Sequence, residues 1–176
     1  MREIIYDVAV SLDGFIAGPR GDASAFPHEG DHIAPYLDRL AGYGTVIMGR
    51  KTYEFGYAFG LEPGARAYPH MDHHIFSTSI NLPDGADVSV VRSDWPAHLE
   101  NLRAARGKPI YLCGGGQFAG WLVQQGLIDR LILKKSPITL GAGIALFANG
   151  PMTTKWLTKS VTPYASGVTL LELTRT

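Results

Sequence analysis

At 176 residues, the chain has the length of one domain and is long enough to bury a hydrophobic core. Its 16 basic residues balance its 16 acidic residues, so the charge gives no sign of a nucleic-acid partner or a membrane surface. The single cysteine excludes an internal disulfide and a cysteine-based zinc cluster, and no apolar run is long enough to cross a bilayer. We therefore expect one domain over residues 1–176, located in the cytoplasm.

Strand-like and helix-like segments alternate along most of the chain. Runs of aliphatic, β-branched and aromatic residues predict strands at Glu3–Val10, Thr45–Met48, His74–Ser77, Val88–Val91, Ile110–Cys113, Leu127–Leu133, Thr154–Thr162 and Val168–Thr174. Apolar residues at helical spacing predict helices that begin after Asp31, Gly49, Asp94 and the glycine tract at 114–116. Asp31 and Asp94 are of the residue type that caps a helix N-terminus.

The predicted elements indicate an α/β fold. Strands that alternate with helices form a mostly parallel central sheet with helices on both faces. The dipeptide Ser166-Gly167 joins the last two strands and favours an antiparallel hairpin at the C-terminus. Ligands of such sheets bind at the carboxyl ends of the strands, and several of the predicted strands end in polar or glycine-rich segments.

The glycine tract Gly114–Gly116 is the first candidate for a ligand site. It follows the strand Ile110–Cys113 and precedes a helix, so that backbone N–H groups and a positive helix end would face a phosphate. Glycine permits both the tight turn and the close approach of a diphosphate. The alternative is that three glycines only make a tight connection between strand and helix.

A second phosphate candidate follows the strand Thr45–Met48. A helix that begins at Arg50 would direct N–H groups and the Thr52 hydroxyl at a phosphate, whereas Arg50 and Lys51 could instead be merely solvated. The turn Ser77–Ser79 could bind a ribose or a 2′-phosphate, or could be a plain turn. Two phosphate-suited turns on one sheet predict a dinucleotide held across both.

Three motifs carry a resemblance to a known family. They are Ser-Leu-Asp-Gly-Phe-Ile-Ala at 11–17, Val-Ile-Met-Gly-Arg-Lys-Thr-Tyr-Glu at 46–54 and Gly-Gly-Gly at 114–116. In these motifs and their order, the chain resembles the dihydrofolate reductase-like superfamily. Within it, the chain is most similar to the reductase domain of the bifunctional riboflavin-biosynthesis deaminase-reductases and to the stand-alone relatives of that domain.

The resemblance implies a dihydrofolate reductase-like fold, NADPH as cofactor, a small-molecule substrate and a homodimer. It places the nicotinamide against Ala9 and Ile16, and phosphate against Gly49, Arg50 and Thr52. It also implies positions for the adenosine end and the diphosphate of the cofactor, namely Ser77, Thr78, Gly114, Gly115, Gly116 and Gln117.

The proton donor is harder to assign, because the chain departs from both well-known patterns of the superfamily. Riboflavin-type reductases resemble this chain but have a glutamate where it has Cys113, directly before the glycine tract. Folate reductases have a carboxylate at the start of the first helix, and Asp31 is the residue placed most like it. Our hypothesis is that Asp31 faces the pocket with a raised pKa; the alternative is that it caps the helix. Asp13 is a second catalytic candidate, as a cofactor or substrate contact, unless it only forms a turn before Gly14.

Two further groups of residues favour structural roles. His70, Asp72, His73 and His74 contain metal-ligating side chains, but we expect an exposed loop there and no metal site. Cys113 could be a nucleophile, but a small buried residue is the better interpretation, since no histidine lies near it in sequence.

The sequence therefore predicts an NADPH-dependent reductase of a small heterocyclic substrate, of either the riboflavin-precursor or the folate type. The alternative is a non-catalytic nucleotide-binding or regulatory protein that kept the fold. The lack of a clear carboxylate opposite the nicotinamide favours the non-catalytic protein. The intact phosphate motifs at both strand ends favour the enzyme.

Overall fold

A computed structural model describes residues 1–148 and 153–176 of the chain. The helices are α1 (Ile33–Ala41), α2 (Arg50–Phe55), α3 (Trp95–Ala104) and α4 (Gly116–Gln124), with short 3-10 turns at Pro19–Gly21 and Gly56–Phe59. The strands are β1 (Ile4–Val10), β2 (Phe15–Ala17), β3 (Thr45–Gly49), β4 (Asp72–Phe76), β5 (Ser89–Val91), β6 (Ile110–Leu112), β7 (Arg130–Lys135), β8 (Ile144–Ala145), β9 (Trp156–Pro163) and β10 (Thr169–Arg175).

Eight of these strands form one sheet in the order β5-β4-β3-β6-β1-β7-β10-β9. The pairs from β5 to β7 are parallel, while β10 pairs antiparallel with both β7 and β9. The predicted mostly parallel sheet and the C-terminal hairpin are therefore confirmed. The remaining strands, β2 and β8, form a small antiparallel pair of their own.

The inner strands are buried on both faces of the sheet, which explains why their sequences are continuous apolar runs. Successive side chains of a strand point to opposite faces. Ile4, Tyr6 and Ile47 accordingly pack with α3 and α4 residues such as Leu99 and Leu122 in one apolar cluster. The alternate residues Ile5, Val46, Met48, Tyr111 and Ile132 belong to a second cluster. Each such side chain stabilises the fold by roughly 1.5–3 kcal/mol on burial.

The histidine segment differs from the sequence prediction. We expected an exposed loop at 70–74, but β4 begins at Asp72 and pairs in parallel with β3, with Asp72 opposite Thr45. His73 is 2% exposed, and its Nδ1 lies 3.0 Å from the carbonyl oxygen of Met71. The prediction was wrong because a strand that pairs inside a sheet can bury polar residues whose hydrogen bonds are satisfied. Within the described part of the chain, no group of three or more His, Cys, Asp or Glu side chains is arranged to hold a metal ion.

Two other local predictions need correction. Asp94 does occupy the N-cap position of α3, but it is left-handed with φ at 50°, and within the described residues its side chain makes no capping hydrogen bond. The sequence predicts no strand in segments 11–30 and 137–147, but these contain β2 and β8, strands too short to give a periodic signal. None of the helices in residues 1–148 and 153–176 combines the length and apolar character needed to cross a membrane.

Candidate functional site

The predicted phosphate motifs lie on neighbouring strands of the sheet. Strand β6 is inserted between β1 and β3, with Ile110 opposite both Ile4 and Thr45. Because all three strands are parallel, their carboxyl ends open at the same edge. At that edge β3 runs directly into α2, and β6 runs through the glycine tract into α4.

The glycine tract packs closely against Thr52. Gly114 and Gly115 have φ of 56° and 79°, a left-handed conformation that side chains disfavour. A Cβ added to Gly115 would lie 2.8 Å from Thr52 Oγ1, and one added to Gly114 would lie 3.1 Å from Thr52 Cγ2. Glycine is therefore favoured at both positions by the backbone conformation and by the close packing of Thr52.

Gly116 has a different structural role from the two glycines before it. A Cβ on Gly116 would collide with the carbonyl oxygen of Ala145 in β8, and the Gly116 carbonyl accepts a hydrogen bond from the Ala148 N–H at 2.9 Å. Phe15 of β2 pairs with Ala145. The close packing at Gly116 therefore connects the glycine tract, through β8, to the strand that contains Ile16.

The residues predicted for the adenosine end lie at the ends of β3 and β4. Gly49 pairs with Phe76, so Arg50 and Ser77 follow paired positions on adjacent strands. The Arg50 side chain is 42% exposed, and within residues 1–148 and 153–176 its one ion pair is the long contact between Arg50 Nε and Glu54 Oε2 at 3.8 Å. The buried Ser77 hydroxyl oxygen accepts hydrogen bonds from the N–H groups of Ser79 and Ile80, so it shapes the turn. The exposed Thr78 lies at the tip of that turn.

A cleft of about 300 Å³ lies on the other side of β1. Ala9 and Ile16, the two residues predicted at the nicotinamide, both line it. The opposite wall comes from α1 and the segment before it, and Lys134 and Ser136 at the end of β7 lie at its base. The structure thus brings Ala9 and Ile16 together in a cleft large enough for a small ring.

A network of buried charges lies behind this cleft. The Asp7 side chain is fully buried in β1, and its Oδ2 accepts hydrogen bonds from Arg39 Nε at 3.0 Å and from the Tyr43 hydroxyl at 3.3 Å. Lys134 Nζ lies 3.4 Å from Asp7 Oδ1 and 3.4 Å from the centroid of the Tyr36 ring. Burial raises the pKa of Tyr36 to about 12, so its phenol stays protonated at neutral pH.

A second cleft of about 330 Å³ lies at the opposite edge of the sheet, at the amino-terminal ends of β4 and β5. Its Arg66 pairs with Asp72 at 3.4 Å and with Asp87 at 3.0 Å. Because it lies at the edge of the sheet opposite to the predicted motifs, we do not assign a ligand to it.

Asp31 does not have either of the roles that the sequence suggested. Its carboxylate accepts hydrogen bonds from the N–H groups of Ala165 at 2.7 Å and Ser166 at 3.1 Å, in the turn of the C-terminal hairpin. The hydrogen bond from Ala165 contributes most to lowering the pKa of the exposed Asp31, the reverse of the predicted rise. The N-cap position of α1 is taken by His32. Both the pocket acid and the cap assignments were wrong.

Asp13 holds a loop in place. Its carboxylate accepts hydrogen bonds from the Ser11 hydroxyl at 2.5 Å, the Gly141 N–H at 2.7 Å and the Leu140 N–H at 3.1 Å. The Ser11 bond, followed by that of Gly141, lowers the pKa of Asp13 to about 2. A carboxylate that is ionised at neutral pH has no proton to give, which argues against Asp13 as the proton donor. Its contact with cofactor or substrate stays a prediction.

Cys113 is not activated as a nucleophile. It follows β6, its Sγ lies 3.5 Å from the Tyr68 hydroxyl, and burial raises the pKa of its thiol. A buried, protonated thiol is a poor nucleophile. Cys113 is half-buried, and the structure supports a packing role for it over a nucleophilic one.

Comparison with known proteins identifies the family. Residues 2–170 match the RibD C-terminal domain. The chain belongs to this family. It is 30% identical over 174 residues to YwjB, an uncharacterised protein of Bacillus subtilis (strain 168), and the alignment covers 96% of each chain.

Solved structures similar to this RibD C-terminal domain share its dihydrofolate reductase-like fold. A putative riboflavin biosynthesis protein from Shewanella sp. PV-4 has a TM-score of 0.83 at 22% identity, covering 100% of this chain and 99% of that one. Dihydrofolate reductase from Enterococcus faecalis, solved with NADP(H), has a TM-score of 0.71 at 16% identity, covering 98% and 96%. The predicted similarity to the riboflavin-biosynthesis reductase domain and the predicted fold are therefore confirmed.

The residues of the charged network were missed by sequence reasoning. Lys134 lies just beyond the predicted end of its strand at Leu133, because the lysine pair at 134–135 breaks the apolar run. One signal was present. Asp7 stands in the middle of an otherwise apolar buried strand, and a buried carboxylate in such a position needs cationic partners from elsewhere in the chain.

Proposed function

We propose that this RibD C-terminal domain is an NADPH-dependent reductase of a small heterocyclic substrate. Membership of the family and the dihydrofolate reductase-like fold support a reductase. The observation that supports NADPH is the strand-to-helix glycine turn, in which Gly114 and Gly115 have positive φ and lie so close to Thr52 that a Cβ would be crowded.

The proposed cofactor site runs along the carboxyl edge of the sheet. Gly114, Gly115 and Thr52 would hold the diphosphate through backbone N–H groups and the threonine hydroxyl. Arg50, with its half-exposed guanidinium, and the turn after β4 would hold the adenosine end with its 2′-phosphate. Ala9 and Ile16 would lie against the nicotinamide, in the cleft beside β1. NADPH, when bound, supplies the hydride.

The chain's own residues would orient the substrate and exclude water. The cleft is lined by apolar side chains such as Ile16, Phe26 and Val168, which suit a planar ring. None of the described residues that line it is an aspartate or glutamate, so the cleft lacks the carboxylate of the folate type, and Cys113 stands where the riboflavin type has a glutamate.

A titration and a turnover assay test the proposal together. Calorimetry should detect NADPH binding, and a screen at the nicotinamide absorbance band should detect its oxidation with dihydrofolate, the riboflavin precursor or simple pteridines. Failure to bind NADPH would refute the reductase and the cofactor at once.

The second candidate is a nucleotide-binding protein without catalytic activity. It is favoured by one observation. The Asp31 carboxylate binds the hairpin turn, and no carboxylate of the described residues lines the cleft. NADPH binding without oxidation across the whole substrate screen would support this candidate.

A further inference from the structure

Lys134 is the charged group of the cleft beside β1. Its side chain is only 13% exposed, and its ammonium lies over the ring of Tyr36 while facing the carboxylate of Asp7. A lysine so placed is held by packing and charge, because a cation is attracted to the face of an aromatic ring. It is a fixed positive group at the base of an apolar cleft.

The buried network carries an excess positive charge. Arg39 and Lys134 share the single carboxylate of Asp7, so one unit of positive charge has no counter-ion in the network. Two of its buried atoms, Arg39 Nη2 and Asp7 Oδ1, have no hydrogen-bond partner among the described residues. Buried charges are ordinarily paired, and an unbalanced cation at a cleft is a recognition element for an anion.

The other polar groups of the cleft are neutral or weakly basic. They are Tyr36, Ser136 and the two histidines His28 and His32. With no carboxylate among the described lining residues, the cleft has nothing to pair with a cationic or amidine-like ring. It has one cation to pair with a negatively charged oxygen.

We propose that Lys134 is a substrate-recognition residue and that the cleft takes a planar ring carrying an anionic oxygen, such as a carboxylate or a deprotonated carbonyl. This inference rests on the proposed function and narrows its substrate class. In the folate-type prediction, a carboxylate at the start of the first helix binds the substrate. In this proposal, a lysine on β7 binds it instead.

The charge on Lys134 makes ligand binding dependent on pH. The groups that face it from the surrounding elements are Asp7 of β1, His32, Tyr36 and Arg39 at α1, Tyr111 and Cys113 at β6, and the apolar Leu170 of β10. Burial lowers the pKa of Lys134 from its ordinary 10.5, with Asp7 opposing that change. An anionic ligand should therefore be lost as the pH rises through a value below 10.5.

Three small probes with the same ring and different charge test the proposal without cofactor. Benzoate, benzamide and benzamidine are titrated into the uniformly labelled protein, and amide shifts of Ala9, Ile16 and Val168 are followed by NMR. Benzoate should bind at least about tenfold more tightly than benzamidine, because a charged hydrogen bond has that effect on affinity. Equal binding of the two, tighter benzamidine binding, or no benzoate binding at millimolar concentration would overturn the proposal.

Two lysine variants localise the effect. Lys134→Met should weaken benzoate binding by about ten- to hundred-fold. Lys135→Met is the matched control, since Lys135 is on the same strand but points to the other face, and it should leave benzoate binding unchanged. Retention of the benzoate preference in Lys134→Met would contradict the assignment.

A pH series on the unmodified protein covers the case in which Lys134→Met does not fold. Benzoate affinity that stays constant between about pH 7 and pH 11 would exclude a lysine as the binding group. A parallel NADPH titration separates the two proposals. Normal benzoate selectivity without NADPH binding would refute the reductase alone, whereas NADPH binding without benzoate selectivity would refute the role of Lys134 alone.

Discussion

At the scale of single residues, Gly115 makes the cofactor proposal testable. Its φ of 79° and the 2.8 Å between a built Cβ and Thr52 Oγ1 leave no room for a β-branched side chain together with a diphosphate. We predict that Gly115→Val folds but loses NADPH binding in a calorimetric titration.

Gly85→Val is the matched control for that substitution. Gly85 also has a positive φ, of 81°, but a Cβ there meets nothing within 4 Å. Both variants should lose roughly 1–2 kcal/mol of stability from left-handed backbone strain, and only Gly115→Val should lose the cofactor. Equal NADPH affinity in the two variants would mean that the glycine tract is only a connection.

Asp13 gives a prediction in acid. Its folded-state pKa of about 2 is below the ordinary 3.8, so its charged form favours the docked loop above pH 3.8. That contribution is lost as the pH falls through about 2, because protonation weakens the bonds from Leu140 and Gly141. The amide shifts of Leu140 and Gly141 should move in this window.

At neutral pH, Asp13→Asn should give the amide shifts of Leu140 and Gly141 that the parent protein shows in acid. Asp22→Asn is its control, because Asp22 also has a lowered pKa, from a bond donated by Ser24, but does not contact the 140–141 loop. Unchanged Leu140 and Gly141 amides in Asp13→Asn would show that the loop is held by other contacts.

The hydrogen bonds of Asp31 are an example of contacts that cannot be predicted from the sequence of neighbouring residues. Its partner Ala165 is 134 positions away, and nothing local distinguishes a carboxylate that caps a helix from one that binds a distant turn. The glycine tract could be found from the sequence because its signal is a local motif between a strand and a helix, whereas Ala9 and Ile16 were placed by the family resemblance.

At the scale of elements, the proposed cofactor site places α2 and the turn after β4 where they would set the preference between NADPH and NADH. Arg50 and Ser77 follow the paired residues Gly49 and Phe76, so both are at the same edge of the sheet. We predict tighter binding of NADPH than NADH, by about ten- to hundred-fold for a charged contact with the 2′-phosphate. Arg50→Ala should remove most of this preference, as measured by calorimetry with both cofactors.

Lys51→Ala is the neighbouring control for Arg50→Ala. Lys51 is exposed on the same short helix, and its removal changes the net charge by the same amount. An equal loss of preference in both variants would indicate long-range charge, and no loss in Arg50→Ala would place the 2′-phosphate elsewhere.

Most of the elements themselves could be predicted. The strands of the central sheet are buried apolar runs, and these give a strong signal because parallel strands are covered on both faces. The pair β2 and β8 could not be predicted, since three- and two-residue strands are fixed by their mutual pairing and by packing at Gly116. The strand order, with β6 between β1 and β3, is likewise a property of long-range pairing.

At the scale of the whole molecule, the network centred on Asp7 joins three elements. Asp7 belongs to β1, Arg39 to α1 and Lys134 to β7, so one buried carboxylate links a helix to two strands. Removing one partner from a buried ion pair leaves the remaining charge uncompensated. The network should therefore contribute to the stability of the fold as well as to the cleft.

We predict that Asp7→Asn lowers the free energy of unfolding by about 3–5 kcal/mol, because Arg39 and Lys134 would remain buried without a counter-charge. Urea unfolding measures the loss, and Asp38→Asn on the exposed face of α1 is the matched control, expected within about 0.5 kcal/mol of the parent protein. Adding Arg39→Met to Asp7→Asn should recover part of the lost unfolding free energy, since it removes one of the two cations left without a counter-charge. If Asp7→Asn and Asp38→Asn unfold at the same urea concentration, the network does not stabilise the fold, and the cation at the cleft is held by packing against Tyr36 alone.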